Sequence, residues 1–484
     1  MRGLALGAVM LTAIALLAGC GQVVTGKPRA SFGDVNPGEV AGLPVTDGPS
    51  GLRPGAPAAR LPVLHNAHTE SDLLAVDTLS DVYDYWHQEM PAAFGRQFQP
   101  PRKLVSYDSD GAAVKVCGAS SKGVVNAMYC PTENSVNWDR GQLLPFLIKQ
   151  FGPLAVVTVL AHEMGHDVQF QLGKINKYTP SIVLEQQADC YAGGFIRWAA
   201  QGNAKHFQIS TGPGLNAVMS ALFLVRDRLG AHSYHSANAH GSAFDRIYAF
   251  QAGFSEGPKR CAKIDLAEIK DRPTERIFNS DEQHQDNGNL PINDQTVALL
   301  QRSLDEAFGQ DSGPGPRIVS NDGTCADGTG TPPASYCPAD NTVAIDMPKL
   351  SAIATLPTKK SVTSGNPNSP GGIGDFAAFA EIASRYALGV EHKLKIPLDD
   401  NQAGLRTACL TGAWTGVTRN PVSAGSNLLL ASGDLDEAVA ELLTARSIIS
   451  ADVYGRDVPS GFARVEAFRI GFIQGSDDCT KKFR

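Results

Sequence analysis

The sequence predicts an α+β protein, mainly helical, made of two tandem copies of one domain. Three observations carry that expectation. Blocks of residues recur in the same order at an offset of about 210 to 220 positions. Long apolar-patterned runs, at 71–88, 153–172 and from 180 onward, read as helices, with Leu74, Leu79 and Val82 marking the first. Short runs, Lys103-Leu-Val-Ser-Tyr107 and Ser135-Val-Asn-Trp138, read as strands. A chain of 484 residues has room for two domains. Its 43% hydrophobic and 19% charged content describes a globular protein with a sizeable core. The net charge of −7, without a long basic run, argues against nucleic acid as a partner.

The first 19 residues read as a signal peptide. Arg2 supplies the positive start and Leu4 to Leu17 the apolar stretch, which is short for a membrane span. Leu17-Ala18-Gly19-Cys20 resembles a bacterial lipobox, which implies cleavage before Cys20 and lipidation of its thiol, for instance with palmitate. An ordinary cleaved leader and an uncleaved anchor are the alternatives. On the lipoprotein reading the protein sits on the extracytoplasmic face of a bacterial cell membrane. Residues 20–69, rich in Gly and Pro, read as a tether too poor in apolar surface to order itself.

The repeat sets the domain boundaries. Tyr129-Cys130-Pro131 with Asn134 and Val136 returns as Tyr336-Cys337-Pro338 with Asn341 and Val343. The block Ser242 to Phe254 returns as Ser460 to Phe472, 218 residues later. The copies are placed at 70–280 and 285–484. Cys20 aside, each copy holds four cysteines at equivalent places, an even number that fits an exported, disulfide-bonded chain. Duplication suggests short staples Cys117–Cys130 and Cys325–Cys337, and long closures Cys190–Cys261 and Cys409–Cys479; bridges between the copies are the less economical scheme.

The helix expected at 153–172, stopping at Gly173, contains His162-Glu163-Met164-Gly165-His166. Residues four apart share a helix face, so both imidazoles can close on one metal ion. Imidazole suits Zn²⁺, and a His pair leaves room for a third protein ligand and a water, from which Glu163 can take a proton as general base. The next helix, with Thr179 as N-cap and Pro180 at its first position, carries Glu185 and Asp189, again four apart. Glu185 can complete a His₂Glu set, and Asp189 can accept the free ring N–H of a ligating histidine. A solvated acidic helix face is the plainer alternative.

His162-Glu-Met-Gly-His-Asp-Val-Gln169 followed by Leu184-Glu-Gln-Gln-Ala-Asp-Cys-Tyr-Ala-Gly193 resembles the bacterial neutral zinc metallopeptidases and, more broadly, the gluzincins, with H-E-x-x-H and a downstream E-x-x-x-D. The resemblance covers most of the first copy, including the YCP segment and His240-Gly-Ser-Ala-Phe-Asp-Arg246. It implies a zincin-like fold, one Zn²⁺ per chain held by His162, His166 and Glu185, Glu163 as base, and endopeptidase activity on extended peptides.

Such a reaction needs a donor for the oxyanion. His232, His235 and His240 cluster before the repeated block; His240 is the first choice, a surface histidine the alternative, and Tyr234 and Tyr191 are rivals. The second copy lacks the chemistry: His162, Glu163 and His166 align with Ser384, Arg385 and Leu388, Glu185 with Gly404, Asp189 with Ala408 and His240 with Val458, and His392 reads as a surface residue. The second domain is therefore expected to be degenerate, covering the cleft, binding substrate or recruiting a protein partner. The alternative function is a non-catalytic lipoprotein scaffold on a peptidase fold.

Overall fold

The computed structural model describes residues 33–223, 226, 239–272, 289–309, 315–356, 372–419, 428–431 and 433–484. The first half runs β1 (Val63–Leu64), α1 (Glu70–Phe94), β2 (Lys103–Tyr107), β3 (Ala127–Cys130), β4 (Ser135–Asp139), α2 (Leu143–Phe151), α3 (Pro153–Leu172), α4 (Ser181–Ala200), α5 (Pro213–Leu222), α6 (Ala243–Glu256), α7 (Pro258–Cys261) and α8 (Leu266–Asp271). Its sheet has the order β1-β2-β4-β3, with β3 antiparallel to β4 at one edge. The second half runs α9 (Asp294–Phe308), β5 (Arg317–Ser320), β6 (Ala334–Cys337), β7 (Thr342–Ile345), α10 (Met347–Ala354), α11 (Asp375–Lys393), α12 (Ala403–Thr418), α13 (Asp434–Leu442), α14 (Gly461–Gln474) and α15 (Ser476–Lys482). Its sheet has the order β5-β7-β6, β5 parallel and β6 antiparallel to β7. The protein is thus α+β with helices predominating.

Local chemistry sets the helix ends. Thr69 caps α1 by accepting the Asp72 N–H, and Gly95 closes it at φ 66°. Pro153 opens α3 and Gly173 closes it at φ 65°. Most of α3 is buried, because the sheet, α1, α4 and α5 surround it. The start of α4 lies one residue later than the sequence suggests. Pro180 is the cap residue without a side-chain bond, and the Thr179 hydroxyl instead accepts the Asn176 N–H.

Two elements run through both halves alike. Cys130 pairs in register with Ser135, and Cys337 with Thr342. Four disulfides close, Cys117–Cys130, Cys190–Cys261, Cys325–Cys337 and Cys409–Cys479. The helices α4 and α6 cross so closely that a Cβ on Gly253 would fall 1.7 Å from the Cys190 carbonyl oxygen, and on Gly471, between α12 and α14, 1.7 Å from that of Cys409.

The tether expectation fails from residue 33 onward. Residues 51–52 pair with 207–208, the Thr46 and Ser50 hydroxyls bond those of Thr211 and Ser210, and the Arg53 Nε donates to the Ala204 and Phe207 carbonyls. Arg197 donates to the Ala41 carbonyl, and Lys482, in the other half, to that of Gly33. The reason is physical: hydrogen bonds to both halves order this strap, and only Val40 and a few neighbours add apolar burial.

The halves meet across α6 and α14 in a reciprocal way. Phe244 meets Phe472 at 5.7 Å between ring centres, and Phe254 meets Phe462 at 5.4 Å, the 218-residue offset exchanging one pair for the other. Gln251 accepts from its own counterpart, Arg469, at 2.6 Å. This exchange is the signature of a two-fold, self-complementary interface.

Candidate metal centre

The close approach of α3 and α4 builds the site. A Cβ on Gly165 would lie 2.9 Å from the Ala188 Cα, so only glycine lets the two helices come this near. Glu185 of α4 then reaches both imidazoles of α3. Its carboxylate lies 3.2 Å from His162 Nε2 and 3.5 Å from His166 Nε2. The three ligand atoms lie within 4.8 Å of one another. The edge of a tetrahedron with zinc–ligand arms of 2.0–2.1 Å is about 3.3 Å, so the donor set fits Zn²⁺ in size as well as in kind.

The other ring nitrogens are held from behind. His162 Nδ1 lies 2.8 Å from Asp189 Oδ1, and Arg246 of α6 grips that carboxylate with two bonds, at 2.8 and 2.7 Å. His166 Nδ1 lies 3.0 Å from Gln169 Oε1. Gln169 donates to the Leu184 carbonyl at 2.7 Å and to Gln187 Oε1 at 3.1 Å. Each ring therefore donates from Nδ1 and turns Nε2 towards Glu185.

Charge is strongly coupled here. Burial pulls the His162 imidazole down, but Asp189 and Glu185 more than offset this and hold it up at about 10. Glu185 raises His166 against the same burial. Burial acts to raise Glu185, yet the hydrogen bonds from the two histidines hold it well below the usual carboxylate range. Asp189 is likewise low, Arg246 and His162 outweighing burial. His162, His166 and Glu185 would bind a divalent cation with both rings deprotonated at Nε2, so that its positive charge would stand in for that of the protons.

Glu163 is buried beside this group, and burial raises its carboxyl. The Tyr129 N–H, from the edge strand β3, donates to its Oε2 at 2.7 Å and fixes its direction. These groups open into a cleft of about 240 Å³, walled by Asn126–Tyr129, by Thr158 and Val159 of α3, by Ala221 and Leu222 of α5, and by His240 and Arg246.

The structure thus brings His162, Glu163, His166, Glu185 and His240 into one cleft, with Asp189 directly behind. Tyr191 is not part of it: the side chain is buried in the core, edge-on to Trp86 at 5.4 Å. Cys20, His232, Tyr234 and His235 lie outside the described residues. Sequence reasoning missed Arg246, Gln169 and the Tyr129 amide. Arg246 had a signal, since it recurs as Arg464 within the repeated block, and Gln169 stands one helical turn after His166.

The aligned positions of the second half hold no such site. The Arg385 guanidinium donates to the Ile448, Ala451 and Asp452 carbonyls, and the Ser384 hydroxyl also reaches Ile448. A Cβ on Gly404 would lie 2.5 Å from the Ser450 carbonyl oxygen. Residues 448–452 therefore fill the space that faces Ser384, Arg385 and Gly404. Glu391 and Arg406, the counterparts of Gln169 and Gln187, form a buried ion pair at 2.6 Å. Arg464, with Ala408 where Asp189 would be, turns to Asp457 and to the Val458, Leu442 and Thr444 carbonyls.

Comparison with known proteins finds likeness over part of the chain. The chain is 28% identical to "Uncharacterized protein YpfJ" of Escherichia coli over 237 residues, 44% of this chain and 79% of that protein. It is 28% identical to "Uncharacterized protein Rv2575" of Mycobacterium tuberculosis over 262 residues, 49% of this chain and 85% of that protein. No solved structure matches the chain. Residues 53–264, which contain every side chain of the metal centre, match the family described as "Putative neutral zinc metallopeptidase".

Proposed function

We propose that the chain is a zinc-dependent endopeptidase whose chemistry lies wholly in the first half. The observation that carries this is the meeting of the His162, His166 and Glu185 ligand atoms within 4.8 Å, with the Glu163 carboxylate in the same cleft. His162, His166 and Glu185 would hold one Zn²⁺, which when bound makes a water acidic and polarises a carbonyl. Glu163, aimed by the Tyr129 amide, takes the proton of that water and returns it to the departing amine. An extended peptide is the substrate form that suits this cleft. The edge strand β3 borders it, with no strand on its outer side among the described residues, and a peptide can add there by main-chain hydrogen bonds. Val159, Ala221 and Leu222 favour an apolar side chain next to the scissile bond. His240 is the donor we assign to the oxyanion.

The rest of the reading follows from sequence. We take residues 70–280 and 285–484 as two copies of one domain, the second degenerate, with acylated Cys20 anchoring the protein on the outer face of the membrane. Among the described residues no helix is long and apolar enough to cross a membrane.

The test is metal analysis with a peptide-library digest. Wild type should hold one zinc per chain and cleave. Glu163→Gln should keep the zinc and lose cleavage by about 10²- to 10⁴-fold. Cleavage that survives this change removes Glu163 as the base, and a wild type that cleaves nothing, or a cellular phenotype that survives the change, removes the peptidase reading in favour of a binding scaffold.

A further inference from the structure

We propose that Asp436, in the half without the metal-binding motif, is a positioning residue for the cleft of the other half, where it holds the turn that presents His240. The inference rests on the peptidase reading for its consequence, not for its geometry. Helix α6 starts just after His240. Ser242 caps it in the ordinary way, its hydroxyl accepting the Asp245 N–H. The Phe244 N–H in that first turn turns instead to the other half and donates to Asp436 Oδ1 at 3.1 Å. The second oxygen of the same carboxylate pairs with Arg226 Nε, also at 3.1 Å. Asp436 is 3% exposed. One buried carboxylate thus fastens the chain at 226 and at 244, before and after His240. The same turn of α6 carries Arg246, which grips Asp189 behind His162.

The reciprocal contact shows what the charge adds. On the other side of the interface, Asn216 of α5 accepts the Gly461 N–H at 2.8 Å, in the first turn of α14, one position before the counterpart of Phe244. There Ser460 is the cap, the preceding turn carries Val458, and a neutral amide is the acceptor from across the interface. The charged residue stands on the side where the turn carries His240 and a cationic partner, Arg226, is tied in as well.

The experiment is a double-mutant cycle in the full-length, zinc-loaded protein, with Asp436→Ala, Asp436→Asn, His240→Ala and the combined variants. Asp436→Ala should lower kcat about tenfold or more, a fraction of the loss on removing an oxyanion donor, with KM and zinc content nearly unchanged. Asp436→Asn keeps the acceptor for Phe244 and should recover most of the rate. In the His240→Ala background neither change at Asp436 should slow kcat further. Losses that multiply independently, or a His240→Ala enzyme as fast as wild type, overturn the proposal. If Asp436→Ala does not fold, Asp436→Ser, too short to reach the Phe244 N–H and without the charge that pairs with Arg226, is read in its place by the same cycle. If the wild type cleaves no peptide, the peptidase reading fails by itself. The positioning claim is then decided by the rate at which diethylpyrocarbonate modifies His240, followed by peptide mass spectrometry. A rate altered at least about threefold in an Asp436 variant supports it, the opening of the turn exposing the ring, and an unaltered rate overturns it.

Discussion

His162 is oriented by a chain of two partners, Asp189 and then Arg246, from two different helices. Replacing Asp189 by Asn leaves the volume but removes the charge that both His162 and Arg246 answer. Zinc affinity should then fall about 10- to 100-fold, measured by competition with a chromophoric chelator. A change below about twofold would mean that Arg246 and the backbone orient the ring without it. The residues that four-residue spacing can bring together, His162 with His166 and Glu185 with Asp189, are legible because a helix fixes their geometry locally. Spacing does not show the partners of Arg246, which its recurrence as Arg464 only marks, or of the Tyr129 amide, because both reach the site only through the α4–α6 crossing and the sheet edge. The Tyr129 contact uses a main-chain N–H, which no residue type announces.

At the scale of elements, the second half shows how a buried carboxylate is held at a helix start. Its central helix α11 begins at Asp375, whose Oδ2 accepts the Leu290 N–H while Oδ1 is buried without a hydrogen-bond partner. Burial pushes this carboxyl up to about 6. A folded value above the ordinary one of 3.8 means the folded state holds the proton more tightly. The carboxyl's favourable contribution is thus complete below about pH 4 and is lost as the pH rises through 6. Asp375→Asn, which cannot ionise, should stabilise the protein at pH 8 by on the order of 2 kcal/mol and leave it unchanged at pH 4, as read from urea midpoints. Equal effects at both pH values would show that the side chain matters through its shape alone. Helix boundaries such as 153–172 are legible from Gly and Pro. The filling of the second cleft by 448–452 is not, since Arg385 binds carbonyl oxygens whose position only the fold defines.

For the whole molecule, the α6–α14 contact decides whether the halves act as one. Phe462 is 1% exposed, packs tilted against Phe254 and offers its carbonyl to Gln251. Phe462→Ala should cost about 3–5 kcal/mol and slow cleavage in the distant cleft by loosening α6, as seen in denaturant titration and peptide kinetics. Full activity at unchanged midpoint would make the interface incidental. The recurrence of matched blocks is legible, because blocks in a fixed order need no fold to be seen. The strap at 33–69 is not, because its order comes from polar bonds to groups 151 to 165 residues away in sequence, whereas composition reports only apolar content.

The reciprocal interface also has a meaning for dilution. Were the same surfaces on separate chains, each encounter would first have to overcome roughly 4–15 kcal/mol of lost translational and rotational freedom, and the assembly would come apart as its concentration fell. On one chain the second half is always present at its docking face, at an effective concentration set by the linker rather than by expression. Such a chain would keep its cleft assembled however thinly it is spread.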